Sequence, residues 1–177
     1  MMTEDFVILV DENDEQIGIC EKLKAHQKGG ILHRAFSVFL TNSKGEVLLQ
    51  QRAQEKYHSP MLWTNTCCSH PRPGESAHDG AKRRLKEEMG IETNLQFLFS
   101  FIYKVDFDNG LTEFEFDHVF HGITDDLPVI NQKEVNTFQY LKPEQIQESI
   151  IKNPEQFTEW FKICWKEFVE KSSVYTA

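Results

Sequence analysis

Residues 76–89 read as a single helix with both ends marked, and this element constrains how the rest of the chain can pack. Ser76 and Asp79 make a capping-box-like start, with Asp in place of the usual Glu or Gln. Ala77, Ala81, Leu85 and Met89 line one face, and Gly90 ends the helix. One apolar stripe has to be buried against a partner, and the flanking sequence supplies strands. Residues 6–10 form an apolar strand, 11–15 a turn-rich acidic link, and 16–21 can pair back as a hairpin. Residues 35–41 (AFSVFLT) and 46–51 (EVLLQQ) flank Asn42-Ser43-Lys44-Gly45, a strong hairpin signal. Residues 95–107 and 111–122 are long strands around Asp108-Asn109-Gly110, and 135–141 is a further strand. Residues 143–152 and 154–171 read as two helices, each opened by a proline near its first turn. In the second, Phe157, Trp160, Phe161, Cys164, Trp165 and Phe168 recur at helical spacing. The order predicts one α+β domain over residues 1–177, with mixed sheets and helices packed on them.

At 177 residues with 14 phenylalanines, the chain is long and apolar enough for a packed core. A formal charge of −9 argues against a nucleic-acid partner. An anionic small molecule would then need local cations in an otherwise acidic protein. The start, MMTEDFVILVDENDE, lacks a basic region followed by a long apolar run, so no secretory signal is expected. No apolar run approaches the ~18–20 residues of a membrane span. The four cysteines are irregularly spaced, and a disulfide between adjacent Cys67 and Cys68 would be strained. The expectation is a reduced cytoplasmic protein, monomeric by default.

Residues 63–89 carry the chemistry. Arg84, Glu87 and Glu88 are neighbours on one helix face, and carboxylates behind a Gly-Glu turn suit Mg²⁺, a hard cation that takes carboxylate and phosphate oxygens. Glu113 and Glu115, two apart on a strand, point to the same side. If Asp108-Asn109-Gly110 is a three-residue loop, Tyr103 faces Glu115 and Val105 faces Glu113. A two-residue loop would shift the register by one and separate Tyr103 from Glu115.

From Glu75, the run E-x7-R-R-L-K-E-E-M-G-I resembles the Nudix superfamily signature over residues 69–91, with two departures. Ser69 stands where the first glycine belongs, and Arg84 stands where the first glutamate of the Arg-Glu pair belongs. That glutamate is a metal ligand in Nudix hydrolases, so its loss argues against ordinary hydrolysis. W-T-N-T-C-C-S-H-P, directly ahead, is similar to type I isopentenyl-diphosphate isomerases, which use a Nudix-like fold for a proton shuttle. E-K-x3-H at 21–26, L-H-x-A-F-S at 32–37, R-A-x2-K at 52–56 and E-x-E-x-D at 113–117 fall in that family's order, so the resemblance covers roughly residues 5–170.

The resemblance implies a Nudix-like mixed β-sheet sandwich flanked by helices. It also implies a divalent metal (Mn²⁺, Mg²⁺ or Zn²⁺; Fe²⁺ is also chemically suited) held by His26, His33, His70, Glu113 and Glu115. Glu115, assisted by Tyr103, would protonate the alkene, and Cys68 would handle the C2 proton, with Cys67 left to packing. Trp160 would stand near the carbocation, with Trp63 as the alternative ring. Lys22, Arg52, Lys56, Ser69 and Arg84 would contact the diphosphate. Glu88, with the backbone carbonyl of Cys68, would hold a Mg²⁺ arriving with the diphosphate; the family pattern uses only the second of Glu87 and Glu88. His58, His78, His118 and His121 have no match and read as structural or surface residues. Two competing functions are a Nudix diphosphohydrolase, which leaves Cys68, the histidines and Arg84 without a role, and a non-catalytic metal module. A structural zinc site would normally be closed and thiolate-rich, unlike this set.

Overall fold

A computed structural model describes residues 6–172. The expectations for the chain's first five residues and for the outer ends of the 1–177 span lie outside the described residues. In chain order the elements are β1 (Phe6–Val10), β2 (Gln16–Glu21), a one-turn helix α1 (Lys22–Ala25), β3 (His33–Thr41), β4 (Val47–Arg52), β5 (Trp63–Thr64), β6 (Cys67–Ser69), α2 (Ala77–Met89), β7 (Gln96–Asp106), β8 (Thr112–Ile123), β9 (Val135–Leu141), α3 (Pro143–Lys152) and α4 (Glu159–Ser172). The fold is α+β, with the strands joined in one mixed sheet.

Strand β3 is the hub. Along one edge it runs parallel to β8, from His33 opposite Glu115 to Thr41 opposite Ile123. Along the other edge it pairs antiparallel with β1 near its start, with β6 in the middle and with β4 at its end. Residues 35–40 are all buried, because both faces of this strand are covered, and so the alternation of a half-exposed strand is absent. On one face, Phe36, Val38, Leu40, Cys67 and Phe120 pack on Ala81, Leu85 and Met89 of α2. On the other, Phe39 and Val119 pack against Trp160, Phe161, Trp165 and Phe168 of α4. Phe39 stacks on Phe168 with ring centroids 3.9 Å apart.

Helix α2 forms as its sequence predicts. The Ser76 hydroxyl accepts from the Asp79 backbone N–H and donates to the Asp79 carboxylate, so the short Asp side chain serves the cap residue's hydroxyl. Gly90 closes the helix with φ 67°, and a Cβ there would sit 2.8 Å from the Val129 carbonyl oxygen. Gly90→Ala is therefore expected to destabilise the protein by more than about 1 kcal/mol, measured as a shift in the urea midpoint at unchanged slope; an unshifted midpoint would show that the Val129 segment yields freely.

The second C-terminal helix differs from expectation. Residues 154–156 make one 3₁₀ turn, Phe157 is extended (φ −118°, ψ 147°), and α4 starts only at Glu159. The break has a partner: Thr158 N–H donates to the Trp63 carbonyl at 3.0 Å, and the Thr158 hydroxyl to that of Thr64 at 2.9 Å. Helical spacing does not reveal it, since Phe157 is buried from the extended conformation as fully as it would be from a helix. In the β7–β8 hairpin, Phe107 N–H donates to the Leu111 carbonyl, Val105 faces Glu113, and Tyr103 faces Glu115. The loop is the three-residue form.

Candidate active site

Four side chains converge where β3 meets β8. His26 follows α1, His33 opens β3, Glu115 stands level with His33 on β8, and His70 follows β6; their ligand atoms all lie within 4.8 Å of one another. His70 Nε2 is 2.8 Å from Glu115 Oε1 and 3.1 Å from His33 Nε2. His26 Nδ1 and His33 Nδ1 each lie 2.7 Å from a backbone carbonyl, of Lys22 and Ile31 respectively. Those contacts place the protons on Nδ1 and leave the Nε2 lone pairs facing inward, the tautomer a metal ligand needs. Burial lowers the pKa of His26 and pushes that of His70 down to about 3, so both rings are neutral. Burial alone would raise Glu115, but His70 and His33 offset this and hold its carboxyl well below the usual range. The buried Nε2 of His26 has no hydrogen-bond partner, an orphan a metal would satisfy. Imidazole nitrogens around a carboxylate fit a divalent cation.

Glu113 stands beside this group and not within it. Its Oε1 lies 3.3 Å from His58 Nε2, and its Oε2 accepts from Tyr103 at 3.1 Å. The Tyr103 hydroxyl is closer to Glu115 Oε2, at 2.6 Å. Burial, with the Glu115 charge next to it, pushes the Glu113 carboxyl well up. Two adjacent carboxyls thus have pKa values moved in opposite directions and share one phenol, an arrangement suited to proton transfer.

Strand alternation separates the two cysteines. Cys67, level with Val38, is fully buried in the core under α2, whereas Cys68, level with Ser37, turns to the other face. There it lines a cavity of about 60 Å³ together with Ser37, Tyr103, Glu113, Glu115 and Trp160. Trp160, not Trp63, forms this wall. Burial pushes the Cys68 thiol up to about 12 despite the nearby Arg52. Cys68 and Glu115 therefore reach one chamber from strands on opposite edges of β3.

The chamber shares Lys22, Lys56, Tyr57, Ser69, His70 and Arg84 with a wider outer cavity of about 430 Å³. Arg52 sits on the inner wall, its guanidinium 5.2 Å from the Trp160 ring centroid and held by the carbonyls of His58 and Ser59 at 3.1 Å. Burial, with Lys56 and Arg84 nearby, lowers the pKa of Lys22. Arg84 Nη2 pairs with Glu88 at 2.6 Å, and Nη1 pairs with Glu87 at 3.0 Å. Gln50 donates to the other oxygen of buried Glu88 at 2.9 Å. Glu88 thus lies apart from the His/Glu group, on the α2 side.

The NUDIX domain model matches residues 31–161. An isopentenyl-diphosphate Delta-isomerase of Pectobacterium atrosepticum is 51% identical, over 90% of this chain and 88% of its own length. An isopentenyl-diphosphate Delta-isomerase 2 of Aromatoleum aromaticum is 48% identical, over 91% and 85%. The chain belongs to the isopentenyl-diphosphate Delta-isomerase family. Solved structures agree on the fold: a Deinococcus radiodurans protein superposes with TM-score 0.70 at 22% identity, covering 84% of this chain and 90% of its own. A MutT protein of Methanosarcina mazei gives 0.67 at 18%, covering 80% and 95%.

Three further residues of the site carry no role in the sequence reading, although Asp117 closes the E-x-E-x-D run. His58 is buried against Glu113, its ring stacked on Phe107 and edge-on to Trp160, and burial pushes its pKa down to about 2. Its signal was position, two residues beyond Lys56. Asp117 continues the Glu113–Glu115 face; burial and Glu115 push its carboxyl up to about 8, and Ser37 donates to it at 2.7 Å. Glu134 lines the outer cavity and pairs with both Lys56 and Arg84; no local pattern marks it.

Proposed function

We propose that the protein converts isopentenyl diphosphate to dimethylallyl diphosphate by adding a proton at C4 and removing one at C2. The observation that carries this reading is the single chamber into which Cys68 enters from one strand and the Glu115–Tyr103 pair from another, above a mouth of cations. An alkene is a poor base, so the acid must be close, oriented and shielded from water. The Glu115–Tyr103 side delivers the C4 proton, leaving positive charge at C3 in reach of the Trp160 ring. Cys68 as thiolate accepts the C2 proton, and as thiol it returns one in the reverse direction. Burial favours the thiol form of Cys68 in the substrate-free chain.

Lys22, Arg52, Lys56, Ser69 and Arg84 take the diphosphate, with Glu88 and the Cys68 carbonyl for the Mg²⁺ it brings. His26, His33, His70 and Glu115, with Glu113 adjacent, would hold a divalent ion whose Lewis acidity polarises the Glu115 carboxyl. We read this ion as Mn²⁺, Mg²⁺ or Zn²⁺, and the protein as a monomer in a reducing cytoplasm, where its four free cysteines stay reduced.

Chelation followed by separate return of each ion tests the metal assignment. Activity is expected to fall to background and to recover with at least one ion together with Mg²⁺; full activity in the stripped protein would remove the metal from the account. Light scattering at micromolar concentration is expected to give the mass of one chain, and a dimer mass would contradict the monomer reading.

A further inference from the structure

Glu134 belongs to no motif, yet it stands between two of the cations expected to receive the diphosphate. One carboxylate oxygen pairs with Lys56 and the other lies 3.3 Å from Arg84 Nη2. The turn that carries it is pinned from three directions. Glu134 N–H donates to Asn131, Ala53 N–H donates to the Glu134 carbonyl, and Asn131 N–H donates to the carbonyl of Glu88, at 2.9, 3.0 and 2.9 Å. The carboxylate is thus fixed relative to both the end of β4, where Lys56 follows, and the end of α2, which carries Arg84.

We propose that Glu134 is a positioning residue for the substrate's diphosphate, holding Lys56 and Arg84 side by side at the mouth of the chamber. The inference rests on the isomerase reading. Lys22, Lys56 and Arg84 share one mouth, and like charges so placed repel and would splay. A carboxylate that gives one oxygen to each of two cations opposes this. It also leaves their phosphate-binding capacity in place. An ammonium has three donors and a guanidinium five, and the Arg84 Nε–H has no partner among the described residues. Glu134 is therefore an anchor, not an internal anion that the diphosphate must displace.

The test is calorimetric titration of inorganic diphosphate with Mg²⁺ into the full chain, beside steady-state kinetics. Glu134→Gln is expected to weaken diphosphate binding about tenfold, the size of losing one partly exposed charge-assisted contact at each cation. KM for isopentenyl diphosphate should rise in parallel while kcat stays within about twofold. In a Lys56→Met background the same change should cost less, because one of its two targets is gone; a purely structural role would not produce that coupling. Should Glu134→Gln fail to fold, Glu134→Asp, which keeps the charge and the turn but shortens the reach, is expected to show a smaller loss of the same kind. Unchanged or tighter diphosphate binding in the folded variants would overturn the proposal. If the wild-type chain binds diphosphate, and Glu134→Gln weakens that binding, but the chain isomerises nothing, the functional reading fails and the positioning role survives.

Discussion

Cys68→Ala is expected to reduce isomerisation by about 10³-fold or more, the upper range for losing a proton-transfer group, while leaving the fold unchanged. The side chain lines the cavity at the edge of the α4 core and is a small one, so near-UV circular dichroism should match the wild type. Cys68→Ser should be nearly as inactive, because a hydroxyl is a far weaker acid than a thiol. The adjacent Cys67→Ala gives the opposite pattern. Cys67 is 0% exposed under α2, so truncation should cost about 1 kcal/mol of stability through lost packing with kcat nearly intact. Substantial activity in the Cys68 variant, or its loss in the Cys67 variant at full folding, would mean that the face assignment of β6 is wrong.

Glu115→Gln has the second large effect, expected at about 10³-fold in kcat accompanied by a loss of metal affinity. The amide keeps the shape and still faces Tyr103, but it removes the one carboxylate among three imidazoles and removes the group that, with Tyr103, passes the C4 proton. Metal affinity is to be read by equilibrium dialysis, separately from turnover. Tyr103→Phe should leave metal binding almost unchanged and lower kcat by about 10²-fold, since it deletes only the shared hydroxyl. If Glu115→Gln retained normal metal affinity, the ion would have to be held elsewhere, with Glu113 and His58 the next candidates to examine.

Much of this architecture can be read from the sequence, and what cannot has identifiable reasons. The α2 boundaries, the β7–β8 hairpin and the β1–β2 pairing follow from caps, turn residues and periodicity over long segments. Strands β5 and β6, with two and three residues, are too short for any periodicity, although β6 is the element that separates Cys67 from Cys68. The break at Phe157–Thr158 depends on hydrogen bonds to Trp63 and Thr64, partners far away in the chain. The site divides the same way. The family resemblance names His26, His33, His70 and Glu115 together with Glu113, which stands beside the group, whereas Glu134 reaches Lys56 across 78 residues only because β4 and β9 pair. His58 reads from the sequence as a structural or surface residue because its neighbours Phe107 and Glu113 come from the β7–β8 hairpin and Trp160 from α4, all far away in the chain.

A Nudix fold here moves protons instead of breaking a diphosphate bond. Proton NMR of isopentenyl diphosphate with the protein and Mg²⁺ in D₂O, with phosphate release followed in parallel, tests it most directly. Dimethylallyl diphosphate carrying deuterium is expected to grow, with no phosphate released. Phosphate release without the allylic isomer would contradict it and would return the chain to the hydrolases whose fold it shares.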